Sequence, residues 1–108
     1  MAYASLLMDK ISSWEDFHEA SRTAFGFPSF YGGNNNAWID CLSYLDQGDG
    51  MSSFVLGKDE VLEVLLAGYG EFSIEQPEIA LGIVRLLASV NARYSERGDF
   101  PRLRLTLT

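Results

Sequence analysis

The residues able to do chemistry in this chain are few and sit in its first half. His18 is the only histidine, and Glu15, Glu19 and Ser21 lie within one helical turn of it. An imidazole beside a hydroxyl could begin a nucleophilic triad, but no glycine-flanked serine elbow or cysteine signature accompanies Ser21, so His18 reads as a partly buried structural histidine. Gly32-Gly33 ahead of Asn34-Asn35-Asn36 could offer backbone N–H groups to a phosphate at a helix start. The Lys-Ser/Thr pair and the GxGxxG spacing of phosphate loops are both missing. Cys41 falls on an apolar helix face, where a thiol behaves as a small hydrophobe. One cysteine and one histidine do not make a metal centre, and Asp46-Gln47-Gly48-Asp49-Gly50 lacks the closing ligands of a calcium loop and reads as a turn. The expectation is therefore no catalytic residue, no metal and no cofactor. What remains is Asp40, a carboxylate beside a glycine and asparagine loop, which is the chemistry of recognition.

Composition narrows what Asp40 could recognise. Fifteen carboxylates against eight Lys or Arg residues give a formal net charge of -7, which disfavours nucleic acid and anionic membrane as direct partners and favours a basic protein. At 108 residues, 47% of them apolar, the chain is expected to fold as a single domain over residues 1–108. A lone cysteine excludes an internal disulfide and fits a reducing, cytoplasmic setting. The apolar run Leu6-Leu7-Met8 is too short for a signal core or a membrane span, so no targeting segment is expected.

The elements that must position Asp40 follow from periodicity. Tyr3 to Met8 is either a short first strand or an irregular lead-in, because it lacks β-branched residues. Ser13 suits an N-cap, with Asp16 three residues on, and Trp14, Phe17, Ala20, Ser21 and Phe25 recur at helical spacing, which predicts a helix from Trp14 to about Thr23. Gly26 and Pro28 stop it. A second helix starts at Asn34 or Asn35. It places Ala37, Trp38, Cys41, Leu42 and Leu45 on one face and Asn36, Asp40, Ser43 and Gln47 on a polar stripe opposite, with Ile39 beside the stripe. Met51 to Val55 reads either way. Val61 to Leu66 is a short aliphatic strand, Glu71 to Gln76 a helical turn, Glu78 to about Ser95 a long helix after Pro77, and Leu103 to Thr108 an alternating terminal strand. Strands separated by helices predict an α/β fold with a small parallel sheet joined by crossovers.

The run from Phe27 to Leu42, FPSFYGGNNNAWIDCL, resembles the barstar family, small intracellular inhibitors of barnase-type ribonucleases, and Ile11 to His18 resembles the start of that family's first helix. The likeness is good from about Ile11 to Leu45, only architectural for the last helix and strand, and poor in the middle third. It implies a three-stranded parallel sheet flanked by three to four helices and a second helix that plugs a ribonuclease active site; the free protein is expected to be a monomer. An aspartate on that helix enters a phosphate pocket lined by basic residues, and the matching residue here is Asp40.

Carried over residue by residue, the resemblance implies partner contacts at Phe30, at the loop positions Gly32, Asn34 and Asn35, and at Asn36, Ile39 and Asp40; Tyr31, Gly33, Ser43 and Tyr44 are expected to complete the partner surface. Tyr31 has a second reading, turn packing against the core. Several positions depart from the family. Phe30 keeps a ring but loses a hydroxyl, Asn36 stands where a second aspartate is usual, Ile39 replaces an exposed tryptophan, and Ala92, with Arg93 beside it, stands where the last helix offers an acid. The expected function is an antitoxin or immunity-type inhibitor of a basic ribonuclease. The alternative is a barstar-fold module that binds a non-nuclease protein.

Overall fold

A computed structural model describes residues 2–108. Strand β1 (Ala2–Leu7) runs into a single 3-10 turn (Met8–Lys10), followed by helix α1 (Trp14–Phe25) and helix α2 (Asn35–Leu42). An irregular stretch leads to strand β2 (Leu62–Ala67), helix α3 (Tyr69–Glu75), the long helix α4 (Pro77–Glu96) and strand β3 (Leu103–Leu107). The three strands form one parallel sheet in the order β1-β2-β3, with Ala4 opposite Val64 and Val64 opposite Leu105. The α/β expectation of three parallel strands with three to four helices holds, with four helices.

The undecided first segment is a strand even though AYASLL carries no β-branched residue. Its pairing with β2 supplies the hydrogen bonds, and Ala4 and Leu6 point into the core, so tertiary context overrides local preference. Ala4, Leu6, Leu62, Val64, Leu66 and Leu103 line the covered face of the sheet. Tyr3 and Leu7 lie on the opposite, open face, as alternation along a strand requires. An exposed pair of Arg104 and Glu63 joins them there.

Helix α1 begins as expected, with the Ser13 Oγ accepting from the Asp16 backbone N–H at 3.1 Å. The Asp16 carboxylate in turn accepts from Ser12, which holds it below the usual carboxylate range. The helix runs two residues past Thr23 because Phe25 is fully buried in the core. The turn after β2 is a seven-residue helix rather than a single turn, and α4 begins at Pro77, a residue suited to a first helical position. Among the described residues no helix is long and apolar enough to cross a membrane.

The core joins the sheet to α1, α2 and α4 through Phe17, Phe25, Trp38, Leu42, Ile83, Val90 and Tyr94, all 0% exposed. Trp38 explains why α2 sits where it does. Its indole packs edge-on against Phe25 and beside Phe17, and its Nε1–H donates to the Ser21 Oγ of α1 at 3.1 Å. A buried indole needs such an acceptor, and this bond together with the burial of Cys41 and Leu42 fixes which side of α2 faces the core.

Candidate functional site

The loop before α2 is held from beneath by side chains rather than by regular structure. Tyr31 closes a turn on Pro28, its N–H donating to the Pro28 carbonyl at 3.0 Å, and its ring packs on Phe27 at 4.6 Å between centroids. The Tyr31 hydroxyl meets His18 Nδ1 at 2.6 Å, and His18 Nε2 meets Asn35 Oδ1 at 3.0 Å. An amide oxygen only accepts, so Nε2 carries the proton, and Nδ1 then accepts from the Tyr31 O–H. His18 is thus a neutral bridge between α1, the loop and the start of α2. It is 5% exposed, and burial pushes its pKa down against the opposing effect of Asn35. Both ring nitrogens are engaged in holding the loop to α1. Burial likewise raises the pKa of Tyr31, with the nearby Cys41 adding to the shift.

Gly33 takes a left-handed φ of 67°, the conformation that lets the chain turn from the loop into the helix. Asn34 then caps α2, its Oδ1 accepting from the Ala37 N–H at 2.8 Å. Cys41 is buried on the core side, and burial, followed by the charges of Asp40 and Asp49, keeps it a protonated thiol.

The residues expected to meet a partner separate into three groups. Phe30, Gly32, Gly33, Asn34, Asn35, Asn36, Asp40 and Tyr44 are exposed, with the Phe30 ring 74% exposed at the loop tip. Tyr31 and Ile39 are half-buried. Tyr31 is committed to His18, and Ile39 packs against the core cluster instead of standing clear. Ser43 does not belong to the outer stripe, which is a correction to the sequence expectation. Helix α2 ends at Leu42, and the chain there turns under α4, so Ser43 is 0% exposed and its hydroxyl donates to the Ile39 carbonyl at 2.5 Å.

What turns the chain under is the far end of α4. The Tyr94 hydroxyl donates to the Leu42 carbonyl at 2.7 Å and accepts from the Leu45 N–H at 2.9 Å. Arg97 donates to the Ser43 carbonyl at 2.7 Å, lies over the rings of Tyr44 and Tyr94, and stands 3.9 Å from Asp46. Arg93 donates to Asp40 Oδ1 at 2.6 Å and reaches the Ser43 Oγ at 3.4 Å. Arg97 meets a carbonyl at the negative, C-terminal end of α2, and Arg93 pairs with side chains there. Sequence reasoning gave neither of them a role. Their i, i+4 spacing puts both on one face of α4 beside Tyr94, which is the signal that marks them as partners of another element.

Beside Asn36 a lateral groove of about 710 Å3 opens between α1 and the loop, with Trp14, Glu15, Glu19 and Tyr31 among its walls. The assembled surface is thus an aromatic loop tip, an asparagine-rich turn, and a carboxylate and guanidinium pair on a short helix. Its groups suit hydrogen bonding and ion pairing with a protein.

Comparison with known families fits this arrangement. The family model described as Barstar (barnase inhibitor) matches residues 1–106, which takes in all four helices, the first two strands and all but the last residue of β3. The chain belongs to the barstar family. No curated protein matches it. Membership accounts for the parallel sheet with its covering helices, and it identifies the chain as barnase-inhibitor-like, a family that binds an enzyme rather than being one.

Proposed function

We propose that this protein inhibits a basic ribonuclease by seating the Gly32–Asn36 loop and the exposed side of α2 in the enzyme's active site, with Asp40 as the central anchor. The observation that carries the reading is the exposed Asp40 carboxylate, 59% accessible on a helix whose other side is locked into the core, in a chain matched by the barstar family over 1–106. A carboxylate entering a cluster of Arg, Lys and His makes charge-assisted hydrogen bonds, and rim contacts that exclude water strengthen them. Phe30 supplies an aromatic anchor at one end of the surface and Tyr44 at the other. The net charge of -7 favours encounter with a cationic enzyme.

The direct test is inhibition of barnase-catalysed RNA hydrolysis by the purified protein, with Asp40→Ala as comparison. Loss of a central anchor costs about 2 kcal/mol or more, roughly thirtyfold in Kd. An Asp40→Ala protein that inhibits as well as wild type excludes the plug. A second reading, a barstar-fold module for a non-nuclease protein, draws on Asn36, where the family's second acid is absent, and on the guanidinium already lying on Asp40. Ribonucleases that keep full activity beside a saturating amount of the protein favour it.

A further inference from the structure

We infer that Arg93 is a specificity-determining residue. By lying on Asp40 it makes the anchor a neutral pair, and the surface fits a partner that sets an acidic side chain beside its cationic pocket rather than one whose pocket is basic throughout. The inference rests on the inhibitor reading of α2 and names the kind of enzyme or protein that α2 accepts.

The local charge differs in kind from that of the whole molecule. The chain carries -7, but at the exposed end of α2 Arg93 lies on Asp40 and Arg97 stands 3.9 Å from Asp46, so each of these two acids has a guanidinium beside it. Arg93 Nη1 is 2.6 Å from Asp40 Oδ1, so any group that reaches Asp40 also comes within a few ångströms of the guanidinium. Among the described residues, Asp40 Oδ2 receives no hydrogen bond, and it is the atom left for a partner's donor. The Arg93 side chain is itself 41% exposed, enough to enter an interface built on Asp40.

Placing the guanidinium against a uniformly cationic pocket juxtaposes like charges as the interface loses water, which penalises the wrong partner. A partner with a carboxylate opposite Arg93 completes an alternating array of four charges instead. Asp40 and the Ser43 Oγ both hold Arg93 where it stands, so turning it out of the interface gives up both contacts.

The test uses barnase as the cationic probe and isothermal titration of wild type, Arg93→Ala, Arg93→Glu, Asp40→Ala and the double variant Asp40→Ala/Arg93→Ala, each checked for an unchanged thermal midpoint. Removing Arg93 should tighten barnase binding about tenfold or more, Arg93→Glu further still, and the gain should shrink when Asp40 is also removed. A merely structural role for Arg93 predicts the opposite sign, since loosening the end of α2 weakens every complex. Unchanged or weaker binding by Arg93→Ala while Asp40→Ala loses affinity overturns the inference and leaves the inhibitor reading standing. Failure of every form to bind, Arg93→Glu included, removes the inhibitor reading and this inference with it.

Discussion

Tyr94→Phe deletes one oxygen atom and tests how α2 is held. In the folded protein that hydroxyl serves two backbone groups at once, the Leu42 carbonyl at 2.7 Å and the Leu45 N–H at 2.9 Å. Tyr94, Leu42 and Leu45 are at most 2% exposed, so water has no route to replace it, and the gap left by one oxygen is too small to hold a water molecule. Phenylalanine keeps the ring and its packing, which removes a cavity cost from the comparison. Each buried backbone group left without a partner costs about 1–3 kcal/mol. Two such groups, partly relaxed by small shifts of the chain, give a loss of about 2–4 kcal/mol. With roughly 4–5 °C per kcal/mol for a chain of this length, the midpoint of thermal unfolding should fall by about 8–20 °C. Urea unfolding followed by tryptophan fluorescence measures it directly, since Trp38 reports on α2, and the slope should stay constant while the midpoint moves. A loss under about 0.5 kcal/mol would refute the reasoning, because it would mean that the end of α2 finds its hydrogen bonds elsewhere.

Two further perturbations address the start of the site and the helix beneath it. His18 is buried and its pKa is lowered from 6.5, so below that value the unfolded chain binds a proton that the folded one resists. Stability should therefore be complete above about pH 6.5 and decline as pH falls through the value, by at most about 1.4 kcal/mol per pH unit. His18→Gln should remove that component, and urea midpoints between pH 5 and 7 that decline equally in both proteins would refute it. Gly82→Ala in α4 should destabilise although alanine is the better helix former by about 1 kcal/mol. An added Cβ would stand 2.5 and 2.7 Å from two atoms of the Trp14 ring, and overpacking of that kind costs about 1–3 kcal/mol. A raised thermal midpoint would show that Trp14 moves aside freely.

Much of the architecture was legible because amphipathic periodicity depends on neighbours along the chain. Ser13, the Trp14–Phe25 repeat and the Pro77 start of α4 all express local rules, and they predicted the elements to within a few residues. The irregular stretch between α2 and β2 was not legible, because what orders it is distant in sequence. The Phe25 carbonyl accepts from Ser52 and Ser53, and the buried Arg102 donates to the carbonyls of Gly57 and Glu60 while pairing with Asp99. The same limit applies at the site. Asp40 was readable as an outward carboxylate from helical geometry alone, but Arg93 lies 53 residues away and only the packing of α4 on α2 brings them together. Ser43 was misplaced for the same reason, since a helical wheel cannot show that Arg93 and Arg97 of α4 close over it.

These contacts bear on how a helix of eight residues can present a binding group at all. Such a helix is marginal alone, because nucleation consumes much of what its few hydrogen bonds return. Here each part of it is tied to a different neighbour. Asn34 caps the start, while His18 joins Asn35 to Tyr31 and α1. Trp38 fixes the middle through Ser21, and Tyr94 with Arg97 holds the end. The exposed residues of α2 are thereby set before any partner arrives, and a partner need not supply the ordering cost that a free segment would impose. The same packing of α4 on α2 is what brings Arg93 to Asp40, so the pair at the exposed end of α2 follows from how the two helices are held together.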